Sequence, residues 1–227
     1  MTFSEAQYSE KQAIFLKYLD NIGAVTETVI LEISGQVTGV YELCEEAARY
    51  GMEVLAKRYH TSFIRSNPDL NPSDYFQIKI LATEELVGKY IHFKDFIGDY
   101  YGVEKGALTM FEYHERFKVM RGAENGGFAK AFLAPPHSLR FERAGSFSDK
   151  EYMDSEIRFY IELLQAYLKT ILNVNNIAEA ELLKIISWSD NWSNYFEAGK
   201  EWWGTFCWTI LDERSNVVTF IAASSTD

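Results

Sequence analysis

Apolar residues recur at every third or fourth position in four stretches of the chain, and this spacing predicts α-helices that each bury one face. The strongest pattern covers about residues 150–172. It follows a Ser148-x-x-Glu151 pair, which is typical of a helix start, and it ends near Asn173, a residue type that can close a helix. Three further helices are predicted, over about residues 9–19, 41–59 and 83–101.

Alternation of apolar and polar residues predicts strands between the helices. Residues 29–33 and 76–80 alternate in this way. The Asn125-Gly126 pair supplies the positive φ angles of a tight turn, so a hairpin is expected between strands near 117–119 and 128–132. Towards the C-terminus, three more strands are predicted, over residues 185–188, 205–211 and 217–223.

The order of these elements favours an α+β fold. Strands joined by short loops pair antiparallel, because a parallel return needs a crossover of about a dozen residues or more. We therefore expect a mainly antiparallel sheet with helices packed on it and a tryptophan-rich C-terminal β-hairpin. No stretch resembles a flexible linker, so a single α+β domain over residues 1–227 is the expected organisation.

The charge of the chain limits the kinds of partner. Acidic residues outnumber basic residues by 33 to 22, which gives a net charge of −11. This balance disfavours nucleic acid, whose phosphates would be repelled, and it favours encounter with a basic protein. The N-terminus lacks the pattern of a signal peptide, and no apolar run is long enough to cross a membrane. A cytoplasmic protein without a membrane partner is therefore expected.

No metal or cofactor is predicted. Cys44 and Cys207 lie far apart and form no CxxC or CxxH spacing, so both thiols are expected to be free and buried. His92, Asp95 and Asp99 would share one face of the third predicted helix, but polar stripes of this kind are common on solvated helices. P-loop and dinucleotide-binding glycine patterns are missing.

All five tryptophans lie between residues 188 and 208. Such a cluster packs a core or lines a binding site, because indole combines a broad apolar face with one N–H donor. Core packing is the favoured interpretation. Trp192 and Trp202 have acidic and amide neighbours, so these two are expected at the surface. The candidate binding residues are Trp188, Trp192, Tyr195, Trp202 and Trp203.

Only weak candidates for catalysis are present. Glu112 and His114 would share one face of a predicted strand, where a carboxylate can hold an imidazole for acid–base chemistry. The HExxH pattern of metalloproteases and the GxSxG pattern of serine hydrolases are absent. Whether the protein is an enzyme therefore stays open at this stage.

Three hypotheses about function remain. The first is a non-enzymatic acidic binding protein that docks a basic protein partner, as inhibitors and toxin-neutralising immunity proteins do. The alternative is a small-molecule-binding protein or hydrolase with a tryptophan-lined pocket, using His114 with Glu112 or neighbouring acidic residues. The third is a scaffold or homo-oligomer that is joined through the aromatic region. Burial of the tryptophan rings would separate the first two.

Overall fold

Strands dominate the centre of the structure, a computed structural model that describes residues 2–35, 39–71, 76–99, 101–102, 107–108, 127–133, 150–200 and 203–225. These strands are β1 (Thr2–Glu5), β2 (Thr26–Ser34), β3 (Gly88–Ile91), β4 (Tyr101–Gly102), β5 (Ala107–Leu108), β6 (Lys184–Trp188), β7 (Thr205–Asp212) and β8 (Val217–Ser224). Six of them form one antiparallel sheet in the order β1-β2-β8-β7-β6-β3, while β4 pairs with β5.

Helices cover both faces of the six-stranded sheet. They are α1 (Glu10–Asn21), α2 (Val40–Ser66), α3 (Phe93–Ile97), α4 (Gly127–Leu133), α5 (Lys150–Thr170), α6 (Ile177–Glu181) and α7 (Glu197–Lys200). Short 3₁₀ turns lie at Thr83–Glu85 and Asn194–Phe196. The α+β class with a mainly antiparallel sheet is thereby confirmed. In the described part of the chain, no helix is both long and apolar enough to cross a membrane.

The helix α2 packs on one face of the sheet. Its buried positions meet strand residues that point to this side, among them Val29, Cys207 and Phe220. Helix and sheet come very close at Gly51, where an added Cβ would lie 2.5 Å from the ring of Phe220. A glycine is needed at this point because any side chain would push the helix away from the strand.

Four helices, α1, α3, α4 and α5, pack on the opposite face. Its centre is aromatic: the rings of Phe96 and Phe128 stack with centroids 5.0 Å apart, and Trp208 meets Phe96 edge-on at 5.4 Å. Tyr167 of α5 is fully buried, and its hydroxyl lies 2.7 Å from Oγ1 of Thr28. The central strands are therefore buried on both sides.

The strongly periodic elements of the prediction are confirmed. The helices predicted first, second and fourth along the chain correspond to α1, α2 and α5, although α2 continues to Ser66. The end of α5 is followed by Asn173, whose φ of 53° is left-handed as expected for a helix stop. Ser148 lies outside the described residues. The strands predicted over 29–33, 185–188, 205–211 and 217–223 correspond to β2, β6, β7 and β8.

The single helix predicted over residues 83–101 is wrong. This segment forms a 3₁₀ turn, the edge strand β3 and the short helix α3. Gly88 allows β3 to lie against β6, because a Cβ on it would come within 2.4 Å of the Trp188 ring. Gly98, with a φ of 80°, ends α3. Close approach of two strands thus overrides the helical spacing of the apolar residues.

Two predicted strands are also wrong. Residues 128–132 belong to α4, because Phe128 and Phe132 stack at 5.2 Å while the alanines between them are buried as well. A strand would have turned those alanines to its other face. Residues 76–80 contribute one isolated bridge, from Ile80 to Ser193. The strand predicted at 117–119 and the Asn125-Gly126 turn lie outside the described residues, and a single domain over the whole chain stays a prediction.

Candidate functional site

Most of the tryptophan cluster packs against the sheet. Trp188 is 6% exposed, Trp192 is 0% exposed and Tyr195 is 7% exposed. Trp203 is half-buried, with its ring 5.3 Å from that of Phe206. Trp202 lies outside the described residues. The expectation that Trp192 is at the surface is therefore wrong.

Of the three buried indoles, Trp188 and Trp192 donate their N–H groups to acceptors nearby. Nε1 of Trp188 donates to Oγ1 of Thr209 at 2.9 Å, and Nε1 of Trp192 donates to the backbone oxygen of Ser189 at 2.8 Å. Because its own loop satisfies the polar atom of Trp192, the ring can be buried against Phe196 whatever its sequence neighbours are. The geometry supports a packing role for these rings.

The other residues singled out in the sequence do not converge. Glu112 and His114 lie outside the described residues. His92 has extended backbone and precedes α3, whereas Asp99 follows its end, so they share no helix face with Asp95. Within the described ranges, no three potential ligands from His, Cys, Asp and Glu come together as a metal site.

A cleft of about 800 Å³ opens between α1, the C-terminal half of α2 and the first residues of β2. We call it the acidic cleft, after Asp20 and Glu27. Its volume lies within the range of small-ligand sites, roughly 300–1,000 Å³. Its lining includes the polar residues Asp20, Thr26, Glu27, Arg58 and Tyr59 and the apolar residues Leu16 and Phe63.

The acidic cleft reaches the outer edge of β2. Three consecutive residues, Thr26–Thr28, line it, although neighbouring side chains of a strand point to opposite faces. All three residues can line the same cleft because the cleft lies beside the edge of β2, where both faces of the strand border it. On the inner side these residues pair with β8, while on the outer side the register with β1 ends at Leu31 opposite Glu5. The described residues place no strand beside Thr26–Thr28 on that outer side.

Arg58 of α2 takes the place of a strand neighbour at this edge. Its Nη1 donates to the backbone oxygen of Thr28 at 2.8 Å. Its Nη2 donates to Oε1 of Glu5 at 2.5 Å and to the hydroxyl of Tyr8. The positive charge of Arg58 is therefore paired with Glu5 of β1, rather than with either carboxylate of the acidic cleft.

The two carboxylates of the acidic cleft are incompletely compensated. Burial raises the pKa of Glu27, and the negative charge of Asp20 raises it further. The hydroxyl of Tyr59 donates to Oε1 of Glu27 at 2.7 Å, and the positive charge of Arg58 acts on both Glu27 and Asp20; these effects oppose the upward shifts only in part. Burial also raises the pKa of Asp20. A cation in this cleft would favour the charged form of both groups.

A buried hydroxyl without a partner lies in the same lining. Thr26 is 8% exposed, and its Oγ1 has no hydrogen-bond partner among the described residues. An unsatisfied buried hydroxyl costs free energy, so such groups are few in folded proteins. The hydroxyl of Thr28, two residues further along, is paired with Tyr167. The Oγ1 atom is closed off from solvent, so this hydroxyl adds to the cost of forming this end of β2 and is not a contact for a ligand in the cleft.

Reasoning from the sequence missed this cleft. Its charged and polar groups come from α1, β2 and α2, and no short motif joins Asp20, Glu27 and Tyr59. The one local signal is the polar run Thr26–Thr28 at the start of a strand that is otherwise apolar and buried. Such a run indicates that this end of the strand borders a polar surface or cleft and not the hydrophobic core.

Comparisons with known proteins give little further information. No protein-family model matches this chain, and no curated protein matches it. Among solved structures, the chain is similar to a crystal structure of citrus MAF1, with a TM-score of 0.34 and 10% identity. That similarity covers 92% of this chain and 97% of the citrus chain. At this TM-score the similarity carries no argument about function.

Proposed function

We propose that the protein is a non-enzymatic binding protein that docks a basic protein partner, and that the acidic cleft receives a cationic side chain of this partner. The observation that carries the proposal is the position of Asp20 and Glu27, two incompletely compensated carboxylates, in one cleft. The net charge of −11 supports it at longer range, because it would steer a basic partner towards the protein.

The walls of the acidic cleft suit a long basic side chain. Leu16 and Phe63 are apolar and can pack against the methylene groups of lysine or arginine. Tyr59 is 43% exposed, and its ring offers an aromatic surface to a cation. The charged head would then lie beside Asp20 and Glu27, where charge-assisted hydrogen bonds are stronger than neutral ones.

Two cations of the protein itself, Lys17 and Arg58, line the cleft without neutralising its carboxylates. Lys17 of α1 is exposed, and in the described part of the chain it forms no ion pair with Asp20 or Glu27. Arg58 is already paired with Glu5. The carboxylates are therefore available to a partner.

The proposal is tested by fluorescence anisotropy with a labelled peptide of alternating arginine and glycine, at about 0.15 M salt so that surface attraction is screened beyond roughly 8 Å. We expect the D20N/E27Q variant to bind at least about tenfold more weakly than the unchanged protein, which corresponds to about 1.4 kcal/mol. The control variant E46Q/D69N removes the same charge from exposed positions outside the cleft and should keep nearly full affinity.

Two results would overturn the proposal. If both variants, D20N/E27Q and E46Q/D69N, bind the peptide equally weakly, the peptide is attracted by the net charge of the protein and not by the acidic cleft. Unchanged affinity of D20N/E27Q would place any bound cation elsewhere on the protein.

A further inference from the structure

A second cleft, of about 650 Å³, lies beside the acidic cleft. We call it the basic cleft, after Lys57 and Arg65 of α2. Arg58 and Ser62 line both clefts, so the two are neighbours along the same helix. The residues Arg58 and Ser62 are four positions apart and lie in one row on the helix surface, which forms the ridge between the clefts.

The cations of the basic cleft are available to a ligand. Lys57 and Arg65 are exposed, and neither forms an ion pair in the part of the chain that the structure describes. Their spacing of eight residues places both on one side of α2. Glu53 is the one acidic residue of this cleft that is not already paired, since Glu5 binds Arg58. Positive charge is therefore in excess here, on a protein whose net charge is −11.

We propose that the two clefts form one bipartite site for a partner segment in which a basic residue lies close to a carboxylate. This inference rests on the proposed function, because the basic residue of the segment occupies the acidic cleft. The carboxylate then meets Lys57 and Arg65, with Arg58 between the two charges of the ligand. A purely basic segment would fill one cleft and be repelled by the other, so the site selects a charge pattern as well as a net charge.

The geometry also explains why the two clefts stay distinct. Arg58 is fixed by the Thr28 carbonyl, the Glu5 carboxylate and the Tyr8 hydroxyl, so its guanidinium cannot move closer to Asp20 and Glu27 without breaking those bonds. A segment that crosses the ridge therefore passes an immobile guanidinium. Its positive charge attracts the carboxylate of the ligand, and the charges of Lys57 and Arg65 draw that carboxylate to the basic cleft.

The test uses the full chain, labelled with ¹⁵N and titrated with blocked peptides followed by chemical shifts. One peptide has a single arginine, one has a single aspartate, and a series has both residues separated by none to three glycines. We expect one spacing to bind at least about tenfold more tightly than the arginine-only peptide. The K57Q/R65Q variant should lose this gain and keep its affinity for the arginine-only peptide. The matched control K11Q/K169Q, at exposed positions outside both clefts, should retain the gain.

The possible failures are distinguishable. If the arginine-only peptide binds through Asp20 and Glu27 but aspartate adds nothing at any spacing, the bipartite site is wrong and the proposed function stands. A gain that persists in K57Q/R65Q also rejects the bipartite site. If the arginine-only peptide binds D20N/E27Q as well as the unchanged protein, the proposed function itself fails.

Discussion

Nη1 of Arg58 donates a 2.8 Å hydrogen bond to the backbone oxygen of Thr28, at the point along β2 where pairing with β1 has ended. The guanidinium thereby covers a strand edge that would otherwise be open to pairing with another chain. It also forms the ridge between the acidic and basic clefts. One side chain thus stabilises the sheet edge and shapes the surface that we assign to partner binding.

Replacing Arg58 tests this structural role. R58M keeps the aliphatic stem but leaves the Thr28 carbonyl and Glu5 without their donor, so we expect the free energy of unfolding to fall by about 1–3 kcal/mol. R58K keeps the charge but lacks the planar fork that reaches both acceptors, and its stability should be intermediate. Urea denaturation measures both. An R58M variant as stable as the unchanged protein would show that this contact contributes nothing.

The hydroxyl pair of Tyr167 and Thr28 makes a second prediction. Both residues are buried, and their oxygens are 2.7 Å apart. Y167F leaves the hydroxyl of Thr28 unsatisfied and should cost about 1–3 kcal/mol, whereas Y167F/T28V replaces both partners by apolar groups and should recover most of the loss. A double-mutant cycle in urea gives the coupling energy. Purely additive effects would mean that the hydroxyls do not depend on each other.

The charged carboxylate of Glu27, which we propose binds a cation, is expected to lower the free energy of unfolding. Because burial raises its pKa, the folded state binds a proton there more tightly than the unfolded state does. The protonated side chain therefore favours folding, and this contribution is lost as the pH rises through the folded-state pKa. E27Q should be more stable than the unchanged protein at pH 8. The difference should shrink as the pH falls through the raised folded-state pKa of Glu27, and it should be lost below about pH 4.3, the ordinary value for glutamate.

Melting temperatures at several pH values measure this effect. The exposed variant E46Q changes the charge equally and should show a much weaker dependence on pH. Lower stability of E27Q at pH 8 would contradict the sign argued from burial. If E27Q loses peptide binding and gains stability, Glu27 behaves as a residue that serves binding at a cost in stability.

Gly51 provides a test of the packing between α2 and the sheet. Alanine has a helix propensity better by about 1 kcal/mol, yet its Cβ would lie 2.5 Å from the Phe220 ring. We expect G51A to be less stable by about 1–3 kcal/mol, because overpacking shifts the helix. In the background of F220L, which shortens the opposing side chain, the same change should cost less. Equal costs of G51A in both backgrounds would argue against the close contact.

Strong periodicity in the sequence was a reliable guide to structure. The helix α5 and the pair β7 and β8 have long uninterrupted patterns, and the structure has them close to where they were predicted. Prediction failed where a contact between distant residues decided the conformation. Gly88 pairs within the sheet because its missing Cβ leaves room for the Trp188 ring. Phe128 and Phe132 are four residues apart, a spacing that puts two side chains on one face of a strand and of a helix equally.

The candidate site was not accessible to the same reasoning. Asp20, Glu27 and Tyr59 meet because of the pairing of β2 with β8 and the path of α2 across the sheet, and neither is readable from local spacing. The polar neighbours of Trp192 suggested exposure, but a hydrogen bond to Ser189 satisfies its N–H and allows complete burial. Local polarity is a poor guide to the exposure of an indole whose one polar atom is satisfied.

Backbone amide shifts of the ¹⁵N-labelled chain, recorded during titration with the arginine-only peptide, test most directly whether the acidic cleft binds cations. We expect the largest changes at Asp20, at residues 26–28 and at Tyr59, and their disappearance in D20N/E27Q. Shift changes spread evenly over the protein, or centred on residues outside α1, α2 and β2, would contradict the account.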